Sequence, residues 1–226
     1  VSIDGAGDRN FSFYRNPGAD MALTEDEVDL DMIRSSRIFH FGTLSMTHEA
    51  VRKATKRAIA CAKECGCLIS FDPNLRKPLW KSMDDAKEKI SWGLSQCDIL
   101  KISDDEIEFM TGEKDIKTGV KKLIDEYHIP FICATMGKNG SMAFFDGHIV
   151  EAAPFLRDDT VETTGAGDTF CACLLHDVLE HGINDRKDDD VKKMLTFANA
   201  AASLITTRKG ALRVMPEKGE VEAVIK

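Results

Sequence analysis

The sequence predicts an α/β fold with a mainly parallel sheet covered on both faces, on three observations. Short apolar runs of strand length alternate with segments whose apolar residues recur at helical spacing. Connections of that length imply right-handed βαβ crossovers. Late in the chain a glycine-rich stretch opens a helix, and in such folds ligands gather at the carboxyl ends of the strands.

The elements follow in order. In residues 9–15, Arg-Asn-Phe-Ser-Phe-Tyr-Arg, Phe11 and Phe13 share one strand face and Ser12 and Tyr14 the other, until Asn16-Pro17-Gly18 ends the run. After a short acidic segment, residues 37–41 read as a buried strand. Residues 47–65 carry Val51, Ala54, Ala58 and Ala62 at helical spacing before Gly66, and residues 67–71 form the next strand. A helix over 82–96, a strand over 98–102, helices over 104–111 and 117–127 and a strand over 130–135 continue the alternation. Residues 141–145 and 148–152 make a hairpin around Asp146-Gly147. Helices over 168–181 and 188–208 close the chain. This gives one α/β core over 21–226, with residues 1–20 as part of a small β appendage.

Of the 226 residues 43% are apolar, enough for one substantial core. The net charge of −8 argues against a broad nucleic-acid surface, which needs clustered Lys and Arg. No apolar run approaches the roughly 20 residues that cross a bilayer, and the first residues lack the pattern of a signal peptide. The expected compartment is the cytoplasm, with neither membrane nor nucleic acid as partner. Seven cysteines include no Cys-x-x-Cys pair and read as buried thiols, and the six histidines show no metal-ligand spacing.

The chemistry concentrates in Thr164-Gly165-Ala166-Gly167-Asp168-Thr169-Phe170. Two glycines at a helix start let successive backbone N–H groups converge on an anion, and the helix dipole adds positive potential. Asp168 in the first turn is favoured as a carboxylate there. An anion hole beside a carboxylate suits phosphoryl transfer, which needs charge stabilisation and an oriented acceptor hydroxyl more than a strong base. The alternative is an Asp that merely caps its helix. Phe170 stands where a Gly-x-Gly-x-x-Gly fingerprint needs glycine, and no Walker A sequence is present.

With Glu162-Thr163 before them, these residues resemble the second signature of the ribokinase-like (PfkB) carbohydrate kinase family, Asp-Thr-x-Gly-Ala-Gly-Asp, with Glu162 at the first position. The resemblance implies a ribokinase-like three-layer α/β/α fold with the remnant of a small β lid, and an ATP-dependent sugar kinase using Mg²⁺. Asp168 would be the base that takes the sugar hydroxyl's proton, and Gly165, Ala166 and Gly167 the anion hole for the γ-phosphate. Members that have Asp where Glu162 stands often hold a stimulating monovalent cation (K⁺) in that region.

Further segments carry the resemblance. Phe71-Asp72-Pro73-Asn74-Leu75-Arg76 resembles the fructokinase branch, where Asn74 and Arg76 would face the transfer path; a surface Arg in a Pro-limited turn is the plainer reading. Ser103-Asp104-Asp105-Glu106 corresponds to an Asn-x-x-Glu region, with Ser103 toward nucleotide and Glu106 supporting the metal through water. The same spacing is that of a capping box. Thr135-Met136-Gly137-Lys138-Asn139-Gly140 resembles a nucleotide loop in which Thr135, Gly137 and Gly140 approach ATP, against a simple glycine turn. Asn199 falls at the family's adenine-lining position, or is a helix-surface Asn.

Phe13 and Arg15 resemble lid residues that approach the sugar, or else pack in the lid or at a homodimer contact. A fructokinase is the first reading, a 2-keto-3-deoxygluconate kinase the alternative, and a non-catalytic sugar or nucleotide sensor the reading of another class. The resemblance begins after the family's Gly-Gly-x-x-x-Asn sugar-binding motif. The chain is therefore expected to be a fragment, with a sheet edge and apolar surface uncovered and part of the sugar pocket lying before Val1.

Overall fold

The structure is a computed structural model and describes residues 2–3, 9–10, 13–15 and 17–226. Two antiparallel strands, β1 (Ser2–Ile3) and β2 (Arg9–Asn10), form a small ladder separate from the main sheet. The main sheet has six strands in sequential order: β3 (Ile38–Gly42), β4 (Leu68–Asp72), β5 (Ile99–Ser103), β6 (Phe131–Thr135), β7 (Ser141–Phe145) and β8 (His148–Ala152). Strands β3 to β6 pair in parallel, and β7 pairs antiparallel with β6 and with β8, the second of these as the hairpin predicts.

Among the described residues there are eight α-helices: α1 (Leu30–Arg34) before the main sheet, α2 (Glu49–Glu64), α3 (Met83–Leu94), α4 (Asp104–Thr111) and α5 (Ile116–Tyr127) between its strands, and α6 (Ala166–His181), α7 (Asp188–Ile205) and α8 (Lys218–Ile225) after it. Period-2 alternation splits the strands between two cores. Phe71, Leu100, Ile102 and Ile132 pack with Ile59 of α2, Ile90 of α3, Ile107 of α4 and Leu123 of α5. On the other face Ile99, Phe131, Cys133 and Phe145 pack with Phe170 and Leu174 of α6 and Leu195 of α7. The result is the expected three-layer α/β/α arrangement.

Local chemistry sets the boundaries. Ser82, Ser103 and Asp115 each accept a backbone N–H from their helices' first turns, starting α3, α4 and α5. Gly66 and Gly112 follow α2 and α4 with φ of 75° and 74°, a conformation that ends a helix at little cost only for glycine. The hairpin turn has Asp146 and Gly147 at φ 44° and 77°, both left-handed.

The expected strand over 9–15 is shorter. Its ladder covers Arg9–Asn10, Phe11, Ser12 and Asn16 lie outside the described residues, and residues 13–15 are irregular. Arg15 is drawn down onto the core instead, where its guanidinium donates to Thr47 Oγ1 at 3.3 Å. The helix expected over 188–208 stops at Ile205, and the short helices α1 and α8 were not anticipated. Strand β3 is an edge of the sheet, and only Phe41 of its five residues is buried. All seven cysteines are free thiols. Among the described residues, no helix is long and apolar enough to cross a membrane.

Candidate active site

The carboxyl ends of β3 and β4 open onto a cavity of about 420 Å³ lined by His40, Thr43, Ser45, Asp72, Asn74 and Asp168, among others. Helix α6 points its N-terminus at it. Gly165 caps this helix with φ 80°, a left-handed conformation, and no side chain caps the first turn. The first i→i−4 bond is Thr169 N–H to the Gly165 carbonyl at 2.8 Å, so the N–H groups of Gly167 and Asp168 precede the intrahelical ladder. Ala166 differs from the expectation for an anion hole: its N–H already donates to the Thr163 carbonyl at 3.3 Å. The amides of Gly167 and Asp168 are the ones directed outward by the helix. Asp168 is exposed on the cavity wall.

Behind that wall lies a cluster of buried charges. Asp72, the last residue of β4, pairs with Lys101 of β5 at 3.2 Å, with 6% and 8% of their side chains exposed. Burial raises the Asp72 pKa to about 6, with Lys101 opposing and Glu106 and Asp168 adding to the rise. Lys101 stays charged, because Asp72 and Glu106 outweigh its desolvation. On the cavity side, exposed His40 bonds Ser70 Oγ at 3.0 Å, and desolvation of its ring lowers its pKa, with Asp168 opposing and Lys101 adding to the fall.

Glu106 forms the capping box with Ser103. Its carboxylate accepts the Ser103 N–H at 2.9 Å and the Leu75 N–H at 2.8 Å, while Ser103 Oγ accepts the Glu106 N–H at 3.4 Å. The residue is 7% exposed. It thus ties the loop after β4 to the start of α4. In that loop Asn74 takes φ 46° and donates its N–H to Asp72 Oδ1 at 3.0 Å, and Arg76 is half-buried with Nη1 on the Leu75 carbonyl at 3.3 Å.

The Thr135 loop is a tight glycine turn at the end of β6. Met136 N–H donates to the Gly140 carbonyl at 2.9 Å, and Gly137 and Gly140 take φ of 51° and 90°. A Cβ at Gly140 would collide with the Ala152 carbonyl oxygen. Asn199 is no surface residue. It is 9% exposed, and its amide donates to the Ala152 and Ala153 carbonyls at 3.3 and 3.0 Å, so that amide is spent on anchoring the end of β8. Arg15 reaches Thr47 and the Leu44 carbonyl beside the cavity and pairs with Asp20; Phe13 is half-buried.

Residues 1–218 match the family described as pfkB family carbohydrate kinase. The chain belongs to that family. Among relatives of this kinase-family chain, "Probable fructokinase-2" of Arabidopsis thaliana is 38% identical over 226 residues, and "Fructokinase-2" of Solanum lycopersicum is 37% identical. Each match covers 100% of this chain and 68% or 69% of the relative, so the chain spans about two thirds of their length. Among solved structures, a fructokinase from Vibrio cholerae O395 with fructose, ADP and calcium ion superposes with a TM-score of 0.81. It is 26% identical, and the match covers 93% of this chain and 67% of that one. A fructokinase from Xylella fastidiosa with bound ATP gives 0.86 at 25% identity, covering 97% and 70%.

Lys101, Asp72 and the cavity-lining His40, Thr43 and Ser45 are given no role by the sequence reading. For Lys101 the signal was present, an ionisable residue inside the apolar strand Ile99-Leu100-Lys101-Ile102.

Proposed function

We propose that this chain is an ATP-dependent kinase that phosphorylates fructose at a primary hydroxyl. The observation that carries this reading is Asp168, exposed on the cavity wall in the first turn of α6, where the helix also directs its leading N–H groups. A γ-phosphoryl group at those amides would lie within reach of a hydroxyl whose proton passes to the Asp168 carboxylate. The base need not be strong, because the loose transition state asks mainly for alignment and charge stabilisation. The relatives named fructokinase, matched along the whole chain, support fructose as the acceptor.

The donor set fits Mg²⁺ as a passenger on ATP. Glu106 holds one amide with each carboxylate oxygen and keeps further lone pairs to accept from a water on the metal, the indirect role that the family resemblance implies. A hydrated metal carried on the phosphates, as Mg²⁺ prefers, supplies neutralisation of their charge. The loop of Thr135, Gly137 and Gly140 and the end of β5 at Ser103 flank the nucleotide side. We read the β1–β2 ladder as part of a lid over the sugar. Arg15 is already paired with Asp20, which favours a neutral sugar over an anionic one such as ketodeoxygluconate.

The test is ADP release on a panel of fructose, ribose and 2-keto-3-deoxygluconate with MgATP. Fructose-dependent release is expected. Release only with ketodeoxygluconate would move the assignment within the family, and sugar-stabilised melting without any release would favour a sensor.

A further inference from the structure

Lys101 is a cation in the middle of a sheet, and the fold makes room for it. It lies on the α6 face of β5, with Ile99 before it on that face and Cys133 of β6 beside it in register. Six per cent of the residue is exposed. A buried ammonium costs several kcal/mol unless its partners compensate, and an apolar residue of similar volume usually serves stability as well. Its neighbours argue for a use beyond packing. On one side Asp72 Oδ2 stands 3.2 Å from Nζ. On the other, a Cβ at Gly167 would stand 3.3 Å from the same atom, so the second residue of α6 is seated on the ammonium and its missing side chain leaves the space.

Apart from His40, whose imidazole desolvation and the ammonium keep from charging, every charged group facing Lys101 is a carboxylate of the site or of its support. Asp72 and Glu106 act on it directly, Asp168 acts on their shared cluster, and the nearby Cys171 thiol is pushed up to about 12 by burial and is therefore neutral. Three carboxylates converge at the point where the kinase reading brings in a polyanion. One cation among them, placed under the leading turn of α6, adds its potential to that of the helix end.

We propose that Lys101 is a positioning residue for the γ-phosphate: its ammonium seats the first turn of α6 through Gly167 and offsets the carboxylates around the anion hole. This rests on the kinase reading above in assuming that a phosphoryl group occupies that turn. Lys101 does not touch the substrate. It sets the potential and the placement of the amides that do.

The experiment measures, by calorimetry with Mg²⁺, the gain in affinity from ADP to a non-hydrolysable ATP analogue. It compares the unsubstituted chain, Lys101→Met and the double variant Asp72→Asn/Lys101→Met. The double variant removes both charges, so no lone buried carboxylate is left and the thermal stability lost in Lys101→Met returns. The proposal expects the gain to fall about tenfold in Lys101→Met and about fivefold in the double variant, where the loss of the Asp72 charge restores part of the potential but the first turn of α6 still lacks its seat. A double variant that recovers stability and keeps the gain within about threefold of the unsubstituted chain reduces Lys101 to a structural partner and overturns the proposal. The absence of any gain in the unsubstituted chain also overturns it. Sugar turnover reads the kinase assignment separately, so a chain that favours the analogue yet phosphorylates no sugar sinks that assignment and leaves the effect of Lys101 measurable.

Discussion

Glu106 receives the backbone N–H of Leu75 at 2.8 Å across 31 residues of sequence. Through this bond the loop after β4, which carries Asn74 and Arg76, is fixed to the start of α4, where the second Glu106 oxygen holds the Ser103 N–H. Glu106→Ala leaves two amides without their acceptor in a site that is 7% exposed. Bonds to a charged acceptor contribute about 1.5–3 kcal/mol each and do not add fully, so a loss of about 3 kcal/mol is expected. For a chain of this size that is a fall of about 6–12 °C in Tm. Glu106→Gln keeps one acceptor and is expected to fall between; an unchanged Tm in Glu106→Ala would remove the tie from the account.

The turn after β6 tests a steric claim. Gly140 combines φ 90° with ψ −145°, a region almost reserved for glycine, and abuts the backbone at Ala152. Gly112 is equally left-handed at φ 74° but has open space around its Cβ position. Gly140→Ala is expected to cost at least about 3 kcal/mol, and Gly112→Ala about 1 kcal/mol, by denaturant midpoint. Equal losses would mean that the collision with Ala152 is relieved without cost.

The pH dependence of the buried pair follows from Asp72. Burial raises its carboxyl pKa from 3.8 to about 6, so the folded state holds the proton more tightly than the unfolded one. Relative to Asp72→Asn, the natural chain therefore loses stability as pH rises from about 4 to about 6 and stays level above that, a change on the order of 3 kcal/mol. Thermal melts of both proteins across pH 4–7 check this. A difference that grows in the natural chain's favour over the same window would mean that the pair with Lys101 dominates the desolvation.

Much of this architecture was legible because local chemistry and tertiary need agree. Asp146-Gly147 announces its hairpin, Ser103 with Glu106 its cap, and Gly165 to Asp168 its helix start. The periodicity of Val51, Ala54, Ala58 and Ala62 marks the buried face of α2. What stayed hidden depends on partners distant in sequence. Nothing local says that Asn199 faces inward, since the carbonyls it serves belong to Ala152 and Ala153. Arg15 leaves its strand because Thr47 and Leu44 offer acceptors 32 and 29 residues away. Alternation puts Lys101 on the face of Ile99, but only the packing of α6 brings Gly167 against it.

The central claim is that Asp168 takes the proton of a sugar hydroxyl at the head of α6. Its most direct test is fructose-dependent ADP formation from MgATP by the natural chain and by Asp168→Asn, with nucleotide affinity measured alongside. The account predicts fructose-dependent turnover that falls by about 10²–10⁴ in the variant while affinity for ADP stays within a few-fold. Near-natural turnover in Asp168→Asn would contradict it.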